Sequence, residues 1–120
     1  MTDENKKMLL DAGIDFDGIA ARIPLKEDFL LRMLGKYPGE TCFSDLEKAM
    51  GAKDYEDAFR HAHNLKGVTG NLEMTRLHQV TTDLVEKLRA HNYEGVDEDF
   101  SQIKEAHERA VEAIGKLLSA

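Results

Sequence analysis

The sequence has few cysteines, few prolines and no long apolar run, and each shortage excludes a class of protein. Its single cysteine, Cys42, has no partner for an internal disulfide, so a disulfide-built secreted scaffold is excluded and a reducing cytoplasm fits best. Pro24 and Pro38 are the only prolines, and no linker or low-complexity tract is recognisable. No apolar run approaches the roughly 20 residues of a membrane span, and the first ten residues lack the apolar core of a secretory signal.

Basic residues are also in the minority. The chain has 16 Lys and Arg residues against 23 Asp and Glu residues, which gives a formal net charge of −7. Proteins that bind the phosphate backbone of nucleic acids usually present a basic face, and an anionic membrane surface also attracts basic segments. We therefore expect neither nucleic acid nor a membrane among the partners of this protein.

The length of 120 residues is typical of one domain. A chain of this size can bury most of its apolar surface in one core without disulfides or a structural metal. We expect a single domain over residues 1–120, with its core at about 25–118. The methionine start and a short first helix favour a stand-alone protein over a piece of a hybrid kinase.

Strand patterns are almost absent, and apolar residues instead recur three and four positions apart, as on helices. Two short helices are predicted at 3–11 and 16–21. The next segment starts near Leu25, and Phe29 is predicted to lie in its apolar, core-facing stripe. Pro38 interrupts the segment, so it is either one kinked helix or two helices in series. Three further helices are predicted, with the following first or capping residues: Asp54, Thr75 and Asp97. The pattern predicts an all-α antiparallel four-helix bundle with one or two short N-terminal helices.

The helix over residues 55–72 has an unusual composition, because the stretch "HAHNLKGVTGN" places two histidines and two glycines within ten positions. At about 100° per residue, His63 points away from the apolar stripe. His61 lies about 160° from His63 around the helix, at the flank of that stripe. Gly67 and Gly70 fall within about 40° of His63. The apolar stripe itself consists of Tyr55, Ala58, Phe59, Ala62, Leu65, Thr69 and Leu72.

The two glycines are informative because each destabilises a helix interior by about 1 kcal/mol relative to alanine. On an outward face they leave bare backbone, across which another protein surface can reach His63. The alternative is that they permit close packing of helices, and the periodicity favours neither. Lys66 follows His63 by three residues, so the two side chains are neighbours. An ammonium there favours the neutral, nucleophilic imidazole.

The sequence "AHNLKGVTGNL" at 62–72 resembles the signature of the histidine-containing phosphotransfer (HPt) domains of bacterial two-component phosphorelays. The family pattern is His-x-Leu-Lys-Gly, then small residues and Leu-Gly. The resemblance extends over roughly residues 14–118. One position departs from the pattern, since Glu73 stands where the family commonly has a glycine, and this puts the turn geometry at 72–75 in doubt.

The resemblance implies a cytoplasmic phosphoryl carrier without kinase activity of its own. His63 would receive the phosphoryl group on a ring nitrogen from an aspartate of a response-regulator receiver domain or a hybrid histidine kinase, and pass it to another receiver. Lys66 would supply positive charge and Gly67 an open approach. The protein would be monomeric and hold no cofactor, since the Mg²⁺ ion belongs to the receiver. Four residues on the same outward face are expected to contact the receiver: Arg60, Asn64, Gly70 and Asn71.

Two alternatives to phosphotransfer fit the sequence less well. A di-metal carboxylate bundle needs inward-facing Glu-x-x-His pairs, and the sequence contains none; His61 and His63 point too far apart to chelate one metal. A helical adaptor or anti-regulator could bind receivers or kinases without transferring phosphate. Such a protein would have no physical reason to keep an exposed histidine beside Lys66 and bare backbone.

Overall fold

The computed structural model describes residues 1–119 and contains no β-strand in that range. Its helices are numbered here in chain order. They are α1 (Asp3–Asp11), α2 (Phe16–Arg22), α3 (Glu27–Lys36), α4 (Cys42–Gly51), α5 (Tyr55–Asn71), α6 (Thr75–Arg89) and α7 (Val96–Ser119). The prediction of an all-α protein is confirmed, and both short N-terminal helices are present.

The last four helices form an antiparallel bundle. Each helix packs against the next one along the chain, α4 and α3 both contact α7, and the connections between the four helices have no more than six residues. Short connections of this kind place consecutive helices side by side in opposite directions. Helix α5 therefore lies between α4 and α6, with one long side open to solvent.

The segment that Pro38 interrupts forms two helices in series. A single 3₁₀ turn, Tyr37–Gly39, follows α3, and α4 begins at Cys42. Proline has no backbone N–H for the helical hydrogen-bond ladder, so α3 ends before it. Tyr37 is buried at the junction and anchors the change of direction in the core.

The buried side chains form one hydrophobic cluster that the N-terminal helices share. Leu9, Ile14 and Ile19 are fully buried, so α1 and α2 pack on the bundle as integral parts of it. Leu65, Leu84 and Ile114 represent α5, α6 and α7 in the same cluster and are also fully buried.

Phe29 was predicted to point into the core, and this prediction is wrong. Its side chain is 50% exposed, and the guanidinium of Arg32 lies 5.4 Å from the centre of its ring. The short helix α3 buries a narrow stripe through Leu30 and Leu34. Phe29 lies about 100° from Leu30 around the helix, which takes it out of that stripe.

The sequence suggested that Thr75 caps α6, and this prediction is wrong. Met74 occupies the N-cap position, and Thr75 is the first residue of the helix. The hydroxyl of Thr75 instead donates a hydrogen bond to the carbonyl of Gly13 (3.2 Å). The α5–α6 connection is too short for a longer lead-in, and Met74 is fully buried within it.

Candidate functional site

His63 lies on the open side of α5. This helix begins at an N-cap, Asp54, whose carboxylate accepts a hydrogen bond from the amide of Asp57 (3.1 Å). Ala62 and Leu65, the buried neighbours of His63 along the helix, face the core, and the 3.6-residue period then turns His63 to solvent, where its side chain is exposed. Within residues 1–119, the hydrogen bonds and ion pairs of histidine rings are those of His61, His78, His91 and His107, so the ring nitrogens of His63 are unengaged there. The ring of Phe59 lies 6.1 Å from that of His63 between ring centres.

His61 is placed differently from His63. It is half-buried, and its Nε2 lies 3.2 Å from a carboxylate oxygen of Asp57, one turn earlier in the helix. Arg60 forms an ion pair with the same carboxylate. His61 and Arg60 are thus both tied to their own helix, whereas His63 presents an unengaged imidazole.

Lys66 and Gly67 lie one turn beyond His63. Lys66 is half-buried and makes no salt bridge within the described part of the chain, so no carboxylate there holds its ammonium away from His63. At Gly67, a Cβ atom would have no neighbour within 4 Å. The fold therefore does not require a glycine at this position for its own packing, and the backbone beside His63 is open.

Gly70 has a different environment from Gly67. A Cβ atom there would lie 3.0 Å from Cε1 and 3.2 Å from Nδ1 of His78, on α6. The His78 Nδ1 lies 3.0 Å from the backbone carbonyl oxygen of Lys66. Because a carbonyl oxygen only accepts hydrogen bonds, this nitrogen carries the hydrogen and donates. Close helix packing thus accounts for Gly70, while Gly67 retains the open face; a receiver contact at Gly70 remains a prediction.

The other two predicted docking residues, Asn64 and Asn71, have exposed side chains. The carbonyls of Asn71 and Gly70, at the C-terminal end of α5, accept hydrogen bonds from the guanidinium of Arg22, on α2. Arg22 also pairs with the Glu73 carboxylate (2.8 Å). The sequence contains no local signal for this contact, which spans 51 positions.

The turn after α5 keeps the geometry that the sequence put in doubt. Glu73 has φ +49°, in the left-handed region that favours glycine, and the amide of Met74 donates to the carbonyl of Thr69 (3.0 Å). This six-to-one hydrogen bond after a left-handed residue is the Schellman motif. Glu73 therefore adopts the left-handed conformation that such a turn requires without being a glycine, and its carboxylate is held by Arg22.

The fold and the site define a class of protein: an all-helical bundle that presents one unengaged histidine on an open helix face. A comparison with family models matches residues 39–113 to the Hpt domain. The chain belongs to this family, whose members are phosphoryl carriers with a phosphotransfer role in phosphorelays. Comparisons with curated proteins and with solved structures found no match.

Over residues 1–119, no group of three or more His, Cys, Asp or Glu side chains is arranged to hold a metal ion. No helix of that part of the chain is both long enough and apolar enough to cross a membrane.

Proposed function

We propose that His63 is the residue that carries the phosphoryl group in a phosphorelay. The observation that supports this most directly is the exposed, unengaged imidazole of His63 beside the open backbone of Gly67, in a chain that belongs to the Hpt family. The donor is the phosphorylated aspartate of a receiver domain, either free or in a hybrid histidine kinase. The acceptor is another receiver.

The transfer step requires a neutral imidazole at His63 and access of the donor to it. The lone pair of the unprotonated ring nitrogen attacks the phosphorus, the bond from phosphorus to the aspartate oxygen breaks, and the carboxylate leaves with the electron pair. The other ring nitrogen keeps its hydrogen, so the phosphorylated ring is cationic until that hydrogen passes to water. After the ring has regained that hydrogen, the reverse step completes the relay: an aspartate oxygen of a second receiver bonds to phosphorus, the bond from nitrogen to phosphorus breaks, and neutral imidazole leaves.

Lys66 supports the step through its charge. Its ammonium is within reach of a phosphoryl group on His63, because residues three apart are neighbours on a helix surface, and a cation there offsets the negative charge of the phosphoryl oxygens. The Mg²⁺ ion that neutralises charge during transfer comes from the receiver. The protein itself acts as a monomeric cytoplasmic carrier without a cofactor or kinase activity.

Labelling experiments test the assignment of His63. Incubation with a receiver phosphorylated by acetyl phosphate should give the protein a phosphate that is labile in acid and stable in base. His63→Gln should abolish this labelling, since glutamine has no nucleophilic ring nitrogen. His61→Gln is the matched control on the same helix and should label normally.

Labelling that survives His63→Gln would assign the phosphoryl group to another residue. A folded wild-type protein that binds receivers but acquires no phosphate from any of them would instead support the adaptor function.

A further inference from the structure

A groove lined by aromatic side chains lies at the N-terminal end of α5. It has a volume of about 550 Å³ and is called the aromatic groove here. It is lined by Tyr55, Glu56, Phe59, Leu88, Arg89, His91 and Tyr93. Tyr55 and Phe59 were predicted to lie in the apolar stripe opposite His63, but both are only half-buried, because they lie about 80° and 40° from His63 around the helix.

The aromatic groove is held in shape by ring contacts. The rings of Tyr55 and Tyr93 stack with their centres 4.3 Å apart and their planes at 20°. The guanidinium of Arg89 lies 5.4 Å from the centre of the Phe59 ring. Tyr93 remains 41% exposed, so apolar surface is still available to a partner. Tyr and Arg are among the residue types that are enriched in binding hot spots.

The aromatic groove continues directly into the site of His63. Tyr55, Phe59, His63 and Gly67 follow one another at intervals of four residues and form one ridge along α5. The ring centres of Phe59 and His63 are 6.1 Å apart. Tyr55 precedes His63 by eight residues, which is about 12 Å along the helix axis.

The surface area of a typical transient contact is large enough to include both His63 and the aromatic groove. A transient protein–protein contact buries up to about 1,200 Å² in total, or about 600 Å² on each partner. A circular footprint of that area has a radius of about 14 Å. A footprint of this size that is centred on His63 extends as far as Tyr55, so a receiver centred there would cover the Tyr55 side of the aromatic groove.

We propose that the aromatic groove is a specificity contact for the receiver, into which an apolar side chain of the receiver packs when its aspartate approaches His63. This inference rests on the proposed function. Because the groove makes no contact with the transferred phosphoryl group, it selects the partner through docking affinity.

A titration of the wild-type protein followed by NMR tests the contact. The receiver domain is chosen as the one that, when phosphorylated, transfers phosphate to the wild-type protein fastest. The probe is this domain in its unphosphorylated form. Addition of this receiver should shift the amide signals of Tyr55, Phe59 and the 88–93 segment together with those around His63. Shifts confined to residues 60–71 would overturn the proposal. If no receiver transfers phosphate to the wild-type protein, the proposed function fails and this inference fails with it.

A pair of aromatic substitutions gives the kinetic test. Tyr93→Ala should raise the receiver concentration for half-maximal transfer about tenfold. Phe29→Ala is the matched control, because Phe29 is a similarly exposed aromatic residue under an arginine on α3, which packs against α7. It should leave the transfer kinetics unchanged. Equal half-maximal concentrations for wild type and Tyr93→Ala would show that the aromatic groove is not a receiver contact, even while phosphotransfer at His63 stands.

Discussion

At the scale of single residues, two glycines on one helix face have different physical reasons to be there. A side chain at Gly67 would meet no atom of the protein, whereas a side chain at Gly70 would press on the ring of His78. The helical period places both glycines near His63 but contains no information about what α6 brings against them. The difference comes from His78, which donates to the carbonyl of Lys66. Its ring packs against the backbone at Gly70, whereas the backbone at Gly67 is open.

Alanine substitutions at the two glycines should therefore have different effects on stability. Gly67→Ala should raise the free energy of unfolding by about 0.5–1 kcal/mol, because alanine is the better helix former and the new methyl group meets nothing. Gly70→Ala gains the same propensity but displaces His78, so we expect no net gain or a loss. Denaturant titration of both variants measures the difference. An equal gain in both would contradict the packing role of Gly70.

At the scale of helical elements, Arg22 joins α2 to the end of the site helix. It donates to two terminal carbonyls of α5 and pairs with Glu73, which holds a left-handed backbone conformation. A non-glycine residue in that conformation is destabilised by about 1 kcal/mol. The ion pair with Arg22 offsets part of this strain, so a departure from the family pattern is matched by a contact from an N-terminal helix outside residues 39–113.

A double-mutant cycle over Arg22 and Glu73 tests this compensation. Glu73→Gly alone should change stability little, because it relieves about 1 kcal/mol of backbone strain and loses a partly exposed ion pair of similar or smaller magnitude. In an Arg22→Ala background, Glu73→Gly should stabilise the protein by about 1 kcal/mol, since only the strain remains to be relieved. The difference between the two effects, measured by denaturant unfolding, is the coupling energy. If Glu73→Gly had the same effect in both backgrounds, the ion pair with Arg22 would not offset the backbone strain at Glu73.

At the scale of the whole molecule, the parts that the sequence predicted are those that depend on local periodicity. Helix types, approximate bounds and the outward position of His63 follow from the spacing of apolar residues within single helices. The contacts that complete the site, Arg22 with Glu73 and His78 with Gly70, join different helices. No pattern within one helix specifies such a pair, and for this reason the sequence predicts neither the contacts of Arg22 with the end of α5 nor the aromatic groove.

A third contact between distant segments links the two halves of the chain. The imidazole of His107, on α7, stacks on the ring of Phe43 with ring centres 3.8 Å apart. Its Nδ1 lies 2.7 Å from the hydroxyl of the buried Tyr37. Burial lowers the pKa of His107, with Glu108 and Glu47 opposing this in part, and burial also raises the pKa of Tyr37. At neutral pH, a neutral His107 and the protonated hydroxyl of Tyr37 therefore share this hydrogen bond.

The lowered pKa of His107 predicts how the stability of the whole bundle depends on pH. Below the ordinary histidine pKa of about 6.5, the unfolded chain takes up a proton that the folded protein resists, so stability should fall as the pH drops from about 6.5 towards the folded pKa. Above 6.5 this contribution is fully present. His107→Gln, which keeps an acceptor for Tyr37 but does not titrate, should lose less stability than wild type between about pH 7.5 and 5. His63→Gln, at an exposed histidine, is the control and should follow the wild type. Unfolding midpoints that decline in parallel for wild type and His107→Gln would show that the His107–Tyr37 contact does not set the acid sensitivity of the fold.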